Sequence, residues 1–184
     1  MAVDRVEKRL RKVTAALDAA GVKYAVIGGN AVAAWVARVD ITATRTTKDV
    51  DILLDHREFS RAAQAIQSVG FWHEEIVGVH IFIEPDEPSV RSAVHIVWAN
   101  QRVLPNNVEP APSVDESEVD PQGFRVLTLP ALVRMKLTAH RTIDRVHIED
   151  MLRVGLIDDR VKSSLSAKLL ERLRTIEENL PEII

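Results

Sequence analysis

Tyr-Ala-Val-Ile-Gly-Gly-Asn-Ala, residues 24–31, and Arg-Thr-Thr-Lys-Asp-Val-Asp-Ile-Leu-Leu, residues 45–54, are the stretches that decide the fold of this chain. In the first stretch, the apolar run predicts a short strand, and the glycine pair after it predicts a tight turn into a helix. Asn30 is a typical N-cap residue, so we expect this helix to run from Ala31 to about Ala37. In the second stretch, the apolar run predicts another strand. Together they predict a strand–helix–strand unit.

The glycine pair, Gly28-Gly29, stands where the predicted helix begins. Backbone N–H groups at a helix N-terminus attract phosphate, and missing side chains let phosphate oxygens approach the backbone. Glycine pairs after strands are also common as simple tight turns. The pair therefore indicates a phosphate site only in combination with other signals.

Two aspartates, Asp49 and Asp51, lie two residues apart at the start of the second strand. Side chains on a strand alternate between its faces, so both carboxylates point to the same side and can share a divalent cation. Asp51 stands within an apolar run, where a buried and unpaired carboxylate costs several kcal/mol. A metal ion, or a cationic partner such as Lys48 or Arg45, relieves that cost.

Apolar periodicity and turn residues predict the remaining elements and a mixed α/β (α+β) fold, with a small mixed sheet flanked by helices. Residues 1–103 form the expected α/β core, 104–123 a proline-rich surface excursion, and 124–184 a short strand with helices packed on the core. The predicted helices span residues 4–20, 31–37, 56–69, 128–140, 144–153 and 159–178, and the predicted strands span 24–27, 50–54, 76–83, 93–98 and 124–127.

Composition excludes several classes of protein. The chain has no cysteine, so disulfides, thiolate zinc sites and cysteine nucleophiles are absent. A formal net charge of −3 gives no global basic surface for nucleic acid. The sequence contains no window of about 18 apolar residues, which a membrane-spanning helix would need, and the charged N-terminus does not resemble a signal peptide. We expect a cytoplasmic protein without a membrane partner.

The two opening stretches, in this order, resemble the nucleotidyltransferase fold of polymerase-beta-like enzymes. More narrowly, they resemble bacterial nucleotidyltransferases of the AbiEii toxin type and minimal relatives. The run from Leu132 to Arg141, with Lys136 at its centre, resembles the lysine-bearing helix of that group. The resemblance covers roughly residues 20–155, and it implies an α/β core that binds a nucleoside triphosphate.

The resemblance also implies a role for each matching residue. Asp49 and Asp51 would be catalytic and would bind Mg²⁺ (or Mn²⁺), while an acceptor attacks the α-phosphorus and pyrophosphate leaves. Lys136 would be catalytic by neutralising triphosphate charge; a lysine that lies along an amphipathic helix is the alternative. The implied nucleotide-binding set is Gly28, Gly29, Asn30, Arg45, Thr47 and Lys136. Arg45 has the alternative of pairing with an aspartate.

His95 is a departure from the pattern of this family. The family usually brings a third carboxylate from a neighbouring strand, and the corresponding position here carries a histidine. His95 is a candidate catalytic residue, as a general base in place of the acid. It is alternatively a ligand for Mn²⁺ or Zn²⁺, or an ordinary half-buried histidine. Glu84 or Asp86 is a further candidate for the missing carboxylate.

His140, Asp144 and His147 are spaced like metal ligands on a helix. A helix break near residues 141–142 and the surrounding charges favour a solvated charged face instead. Asp144 has a further alternative, which is to pair with Lys136 or Arg141.

The function that follows is a metal-dependent nucleotidyltransferase moving a nucleoside monophosphate from an NTP to an unidentified acceptor: RNA, protein or small molecule. A toxin-like role, with an antitoxin as partner, belongs to the same hypothesis. The alternative is a nucleotide-binding or interaction module that has kept the fold and lost turnover, because an acid is replaced by His95. A modifier of aminoglycosides is a third interpretation. The oligomeric state is not predicted.

Overall fold

The computed structural model describes residues 2–180, with side chains from residue 5 onward. In this described part, one mixed sheet of seven strands is packed by seven α-helices, which confirms the predicted mixed α/β class. The strands are β1 (Tyr24–Ile27), β2 (Val50–Leu54), β3 (Trp72–Ile76), β4 (Val79–Ile83), β5 (Val94–Trp98), β6 (Ser117–Val119) and β7 (Arg125–Leu127). The helices are α1 (Ala2–Ala19), α2 (Gly28–Ala37), α3 (Phe59–Ser68), α4 (Leu129–Ala139), α5 (Thr142–Arg153), α6 (Asp159–Ser163) and α7 (Ala167–Glu178).

The strands run in the order β3-β4-β5-β2-β1-β7-β6 across the sheet. β1 lies between β2, which is antiparallel to it, and β7, which is parallel. β2 also pairs in parallel with β5. All four residues of β1 are buried, as are four of the five in β2, because these strands occupy the middle of the sheet. This is why both read as apolar runs in the sequence.

The helix after β1 begins earlier than predicted. It starts at Gly28, and the residue that caps it is Ile27, which makes no side-chain capping bond. Gly28 has a φ of +67°, so the chain turns into the helix at once, without a polar cap. The N-cap assignment of Asn30 is therefore wrong. Its side-chain amide instead donates a hydrogen bond of 2.7 Å to the backbone oxygen of Asp49.

Two regions contain strands that the sequence pattern did not predict. The expected single strand over 76–83 covers only the last residue of β3, a turn with positive φ at Val77 and Gly78, and β4; β3 and β4 pair as a hairpin. β3 was missed because it is an edge strand with three consecutive polar residues. The segment 104–123, predicted as a surface excursion, also contributes β6 and buries Ala111 and Val114 in the core.

A buried arginine fastens α1 to the sheet. Arg9 is 1% exposed and donates hydrogen bonds to Glu84 (3.0 Å), Glu87 (2.8 Å) and the backbone oxygen of Lys48 (3.2 Å). Glu84 is therefore occupied by Arg9, and Asp86 is exposed on the same turn. Neither supplies a third carboxylate beside Asp49 and Asp51. No helix in the described part of the chain combines the length and apolar character of a membrane span.

Candidate functional site

Three metal-ligating side chains converge where β2 and β5 lie side by side. In the parallel register of these strands, Asp51 is directly opposite His95. The Nδ1 atom of His95 lies 3.5 Å from Oδ1 of Asp51 and 3.8 Å from Oδ2 of Asp49. One donor atom from each of the three residues lies within 4.8 Å of the others, and no further such group occurs among the described residues. We call these residues the acid cluster.

The imidazole of His95 is oriented by the backbone. Its Nε2 atom lies 3.0 Å from the carbonyl oxygen of Val90. A carbonyl oxygen only accepts hydrogen bonds, so Nε2 carries the proton and Nδ1 faces the two carboxylates. Hydrogen bonding to Asp51 raises the pKa of His95 above its usual value, against the opposing effect of burial.

The glycine pair leaves no space for side chains at the edge of the acid cluster. A Cβ atom on Gly28 would lie 1.9 Å from Oδ2 of Asp51, and one on Gly29 would lie 2.9 Å from Cβ of Thr47. Thr47 in turn donates a hydrogen bond of 2.5 Å to Oδ1 of Asp49. The start of α2, Thr47 and both carboxylates are thus closely packed against one another.

A cavity of about 490 Å³ opens in front of the acid cluster. Gly28, Gly29, Thr47 and the acid cluster line one end of it. Side chains from α4, from α5 and from the junction between them line a second part, namely Met135, Lys136, Thr138, Ala139, Arg141, Ile143, Asp144 and His147. The loop after β5 closes a third side with Val103, Leu104, Asn107, Glu109, Pro110 and Ala111.

Two members of the predicted nucleotide-binding set, Asn30 and Arg45, do not line this cavity. The guanidinium of Arg45 pairs with Asp150 on α5 at 2.5 Å, which is the alternative that the sequence left open. Both residues line a separate, smaller cavity of about 280 Å³. The other predicted site residues share the larger one.

Lys136 is held in a buried ion-pair network that connects α4 to α5. Its Nζ atom donates to Oδ1 of Asp144 at 3.0 Å, and Arg141 donates to Oδ2 of the same carboxylate at 2.7 Å. Burial opposes ionisation of Asp144, but the hydrogen bond from Arg141 and the charge of Lys136 lower its pKa overall. The side chain of Lys136 is 6% exposed and that of Arg141 is 69% exposed. We call Lys136, Arg141 and Asp144 the ion-pair network.

The predicted solvated face at residues 140, 144 and 147 is not observed. α4 ends at Ala139, and His140 adopts a left-handed conformation with a φ of +51°, which breaks the helical spacing. Asp144 and His147 are 1% and 8% exposed, because α5 packs them against α4. Burial, helped by the charge on Lys136, lowers the pKa of His147 to about 4. Its Nδ1 atom has no hydrogen-bond partner among the described residues.

Several lining residues were absent from the sequence-based site. The sequence predicts Arg141 as a possible partner of Asp144 but not as a site residue, although the charges of Asp51 and Asp49, as well as that of Asp144, act on its guanidinium. Glu109 faces the cavity while pairing with Arg134 at 3.6 Å and accepting a hydrogen bond of 2.6 Å from Ser166. The proline-rich composition around Glu109 predicts a loop, but it does not indicate that the loop lines the cavity.

Comparison with known proteins identifies the fold. No model of a known protein family matches the sequence, and no curated protein is similar to it. Among solved structures, the antibiotic-resistance factor ANT(2″)-Ia matches 98% of the chain over 86% of its own length, with a TM-score of 0.53 and 18% identity. A crystal structure of the same factor with adenylyl-2″-tobramycin matches 97% of the chain over 99% of its own length, with a TM-score of 0.53 and 19% identity.

A further likeness comes from an antigenic nucleotidyltransferase-like protein of Paracoccidioides brasiliensis. It matches 97% of the chain over 90% of its own length, with a TM-score of 0.60 and 14% identity. At these identities the likeness shows the fold alone, which is that of nucleotidyltransferases. The narrower resemblance to the AbiEii type stays a prediction.

Proposed function

We propose that this protein is a metal-dependent nucleotidyltransferase that moves a nucleoside monophosphate from an NTP to an acceptor. The observation that carries the proposal is the contact between Gly28, Asp51, Asp49 and Thr47 at one end of a cavity large enough for a nucleotide. Each of these features is common alone, whereas a phosphate-binding turn touching a carboxylate pair is a combination that phosphoryl chemistry needs.

The cavity supplies the groups required for each part of the reaction. The backbone at Gly28-Gly29 holds the phosphates, and the acid cluster holds a divalent cation, Mg²⁺ or Mn²⁺. When bound, that cation would neutralise charge on the triphosphate and on the leaving group. An acceptor oxygen forms a bond to the α-phosphorus, the bond to the bridging oxygen breaks, and pyrophosphate leaves. The acceptor's proton passes to solvent or to a base in the cavity.

The two cations of the ion-pair network have different access to a phosphate. Lys136 is paired with Asp144 and its side chain is 6% exposed, so little of its ammonium is open to a phosphate. Arg141 lines the cavity, and its side chain is 69% exposed, so it has donors left to bind phosphate while it keeps its contact with Asp144. We assign charge neutralisation at the triphosphate to Arg141 first, with Lys136 supporting it through their shared carboxylate.

The test uses purified protein, α-labelled NTPs, Mg²⁺ or Mn²⁺, and acceptor panels of RNA, proteins and aminoglycosides. In the Asp49→Asn/Asp51→Asn variant we expect transfer to fall on the order of 10³-fold. The matched control is Asp86→Asn/Asp115→Asn, which removes the same charge from two exposed positions outside the cavity. Transfer that persists in the first variant would overturn the proposed site.

NTP binding without transfer to any acceptor would instead favour the non-catalytic module. The motivation for that alternative is the imidazole of His95 at the position of a third carboxylate. A toxin-like role and an antitoxin partner are finer predictions. They require growth arrest when the wild type is expressed, and normal growth with the Asp49→Asn/Asp51→Asn variant.

A further inference from the structure

In each aspartate of the acid cluster, one carboxylate oxygen contacts a neighbouring residue and the other faces His95. Thr47 occupies Oδ1 of Asp49, which leaves Oδ2 on the side of His95. Oδ1 of Asp51 is the oxygen near Nδ1 of His95, whereas Oδ2 lies next to Gly28. Each carboxylate therefore has one oxygen turned toward the imidazole nitrogen.

The imidazole of His95 presents a nitrogen lone pair to these oxygens when it is neutral. Its Nε2–H is committed to the carbonyl of Val90, in the 3₁₀ turn Val90–Ser92 that leads into β5. Histidines that bind metals commonly donate their second ring N–H to a backbone carbonyl in this way, which sets the tautomer and the ring orientation. The hydrogen bond from Nε2 to Val90 therefore orients His95 as the corresponding bond orients a metal-ligating histidine.

The separations among the three donors suit one small cation. Ligand atoms about 2.1 Å from a shared metal ion lie roughly 3–4 Å from one another. The distances from Nδ1 of His95 are 3.5 Å to Asp51 and 3.8 Å to Asp49. These two separations fall in that range, and one donor atom from each of the three residues lies within 4.8 Å of the others.

We propose that His95 is a direct metal ligand through Nδ1, and that the acid cluster selects a first-row transition metal such as Mn²⁺, Co²⁺ or Zn²⁺ over Mg²⁺. Mg²⁺ prefers oxygen ligands, and an imidazole in place of a third carboxylate removes both an oxygen donor and a negative charge. Transition metals accept the nitrogen readily. The inference rests on the proposed function for its location, but it concerns metal binding without nucleotide.

The test is a Mn²⁺ titration of the full, nucleotide-free chain, followed by electron paramagnetic resonance, with Mg²⁺ as competitor. We expect bound Mn²⁺ to show ¹⁴N coupling from an imidazole, and His95→Asp to abolish that coupling. His95→Asp should also lower the preference for Mn²⁺ over Mg²⁺ roughly tenfold, about 1.4 kcal/mol. His73→Gln is the matched control, because His73 pairs with His80 at 2.9 Å and does not line the cavity.

Several outcomes would overturn the proposal. Bound Mn²⁺ without ¹⁴N coupling would mean that His95 faces the carboxylates only as a proton carrier. An unchanged metal preference in His95→Asp would exclude its role in selectivity. Absence of Mn²⁺ binding, both alone and with a non-hydrolysable NTP, would exclude the site. Since none of these readouts measures transfer, failure here is distinct from failure of the proposed reaction.

Discussion

The acid cluster and the ion-pair network line the same cavity, but they differ in how the negative charge of their carboxylates is balanced. In the acid cluster, two carboxylates face one histidine at 3.5–3.8 Å, and the space between them suits a cation. In the ion-pair network, one carboxylate receives two cationic donors at 2.7 and 3.0 Å, and the protein itself satisfies it. The first arrangement is the one for which we propose a metal ion, whereas in the second the carboxylate is already paired with cations of the protein.

This difference follows from where each group lies in the fold. The acid cluster lies where β2 and β5 begin, beside the glycine turn that follows β1, and its residues line the cavity. In the ion-pair network, Lys136 and Asp144 are buried between α4 and α5, where an unpaired charge would be costly, and Arg141 is exposed. Both regions carry conspicuous charged residues in the sequence, but only the second contains a buried ion pair.

The largest expected effect is on stability, from breaking the ion-pair network. Lys136→Met leaves the buried Asp144 carboxylate with Arg141 as its remaining cationic partner, and we expect the free energy of unfolding to fall by about 3 kcal/mol, the lower end of the range for a broken buried pair. Urea denaturation at pH 7.5 measures it. The control is Lys162→Met, which removes a partly exposed pair with Glu177 (2.7 Å) and should cost less than about 1 kcal/mol. Equal effects would mean that Lys136 is not structural.

The next effect in size is expected from pH, through His147. Because the pKa of His147 falls to about 4 in the folded protein, the unfolded chain takes up a proton first as the pH drops from about 6.5. Stability is therefore full above pH 6.5 and declines toward pH 4, by up to about 3 kcal/mol at roughly 1.4 kcal/mol per pH unit.

The difference between wild type and His147→Leu isolates this contribution, because the pKa values of His73 and His140 are also lowered by burial. Denaturation midpoints measured from pH 7.5 to 4.5 should decline less steeply in the variant. Parallel curves would show that His147 is not buried in its neutral form.

The smallest expected effect distinguishes backbone strain from crowding at the acid cluster. Gly28→Ala and Gly21→Ala share a positive φ of +67° and +64°, but only at Gly28 does the new Cβ meet Asp51. We expect Gly28→Ala to cost about 1–2 kcal/mol more in unfolding free energy and to weaken Mn²⁺ binding. Gly21→Ala should leave Mn²⁺ binding unchanged. The contact between turn and carboxylate would be unimportant if both variants bound Mn²⁺ equally.

The parts of the site that could be predicted from sequence are those with a local pattern. The alternation of β2 places both aspartates on one face, and the glycine pair marks the start of α2, although Asn30 does not cap it. The burial of Lys136 could not be predicted, since it depends on Asp144 from the next helix. The loop around Glu109 could not be assigned to the cavity, because its sequence has no periodicity. The contact of Arg45 with Asp150 could not be predicted either, because it joins positions 105 residues apart.

The position of β1 has a consequence for how the chain is made. β1 pairs with β2 after a connection that includes α2, but its other neighbour, β7, ends only at Leu127. During synthesis, one edge of this fully apolar strand therefore has no native partner until about a hundred further residues have emerged. An open apolar edge is a template for association with other chains. A strand that is completely buried in the finished protein therefore has one unpaired edge for most of its synthesis.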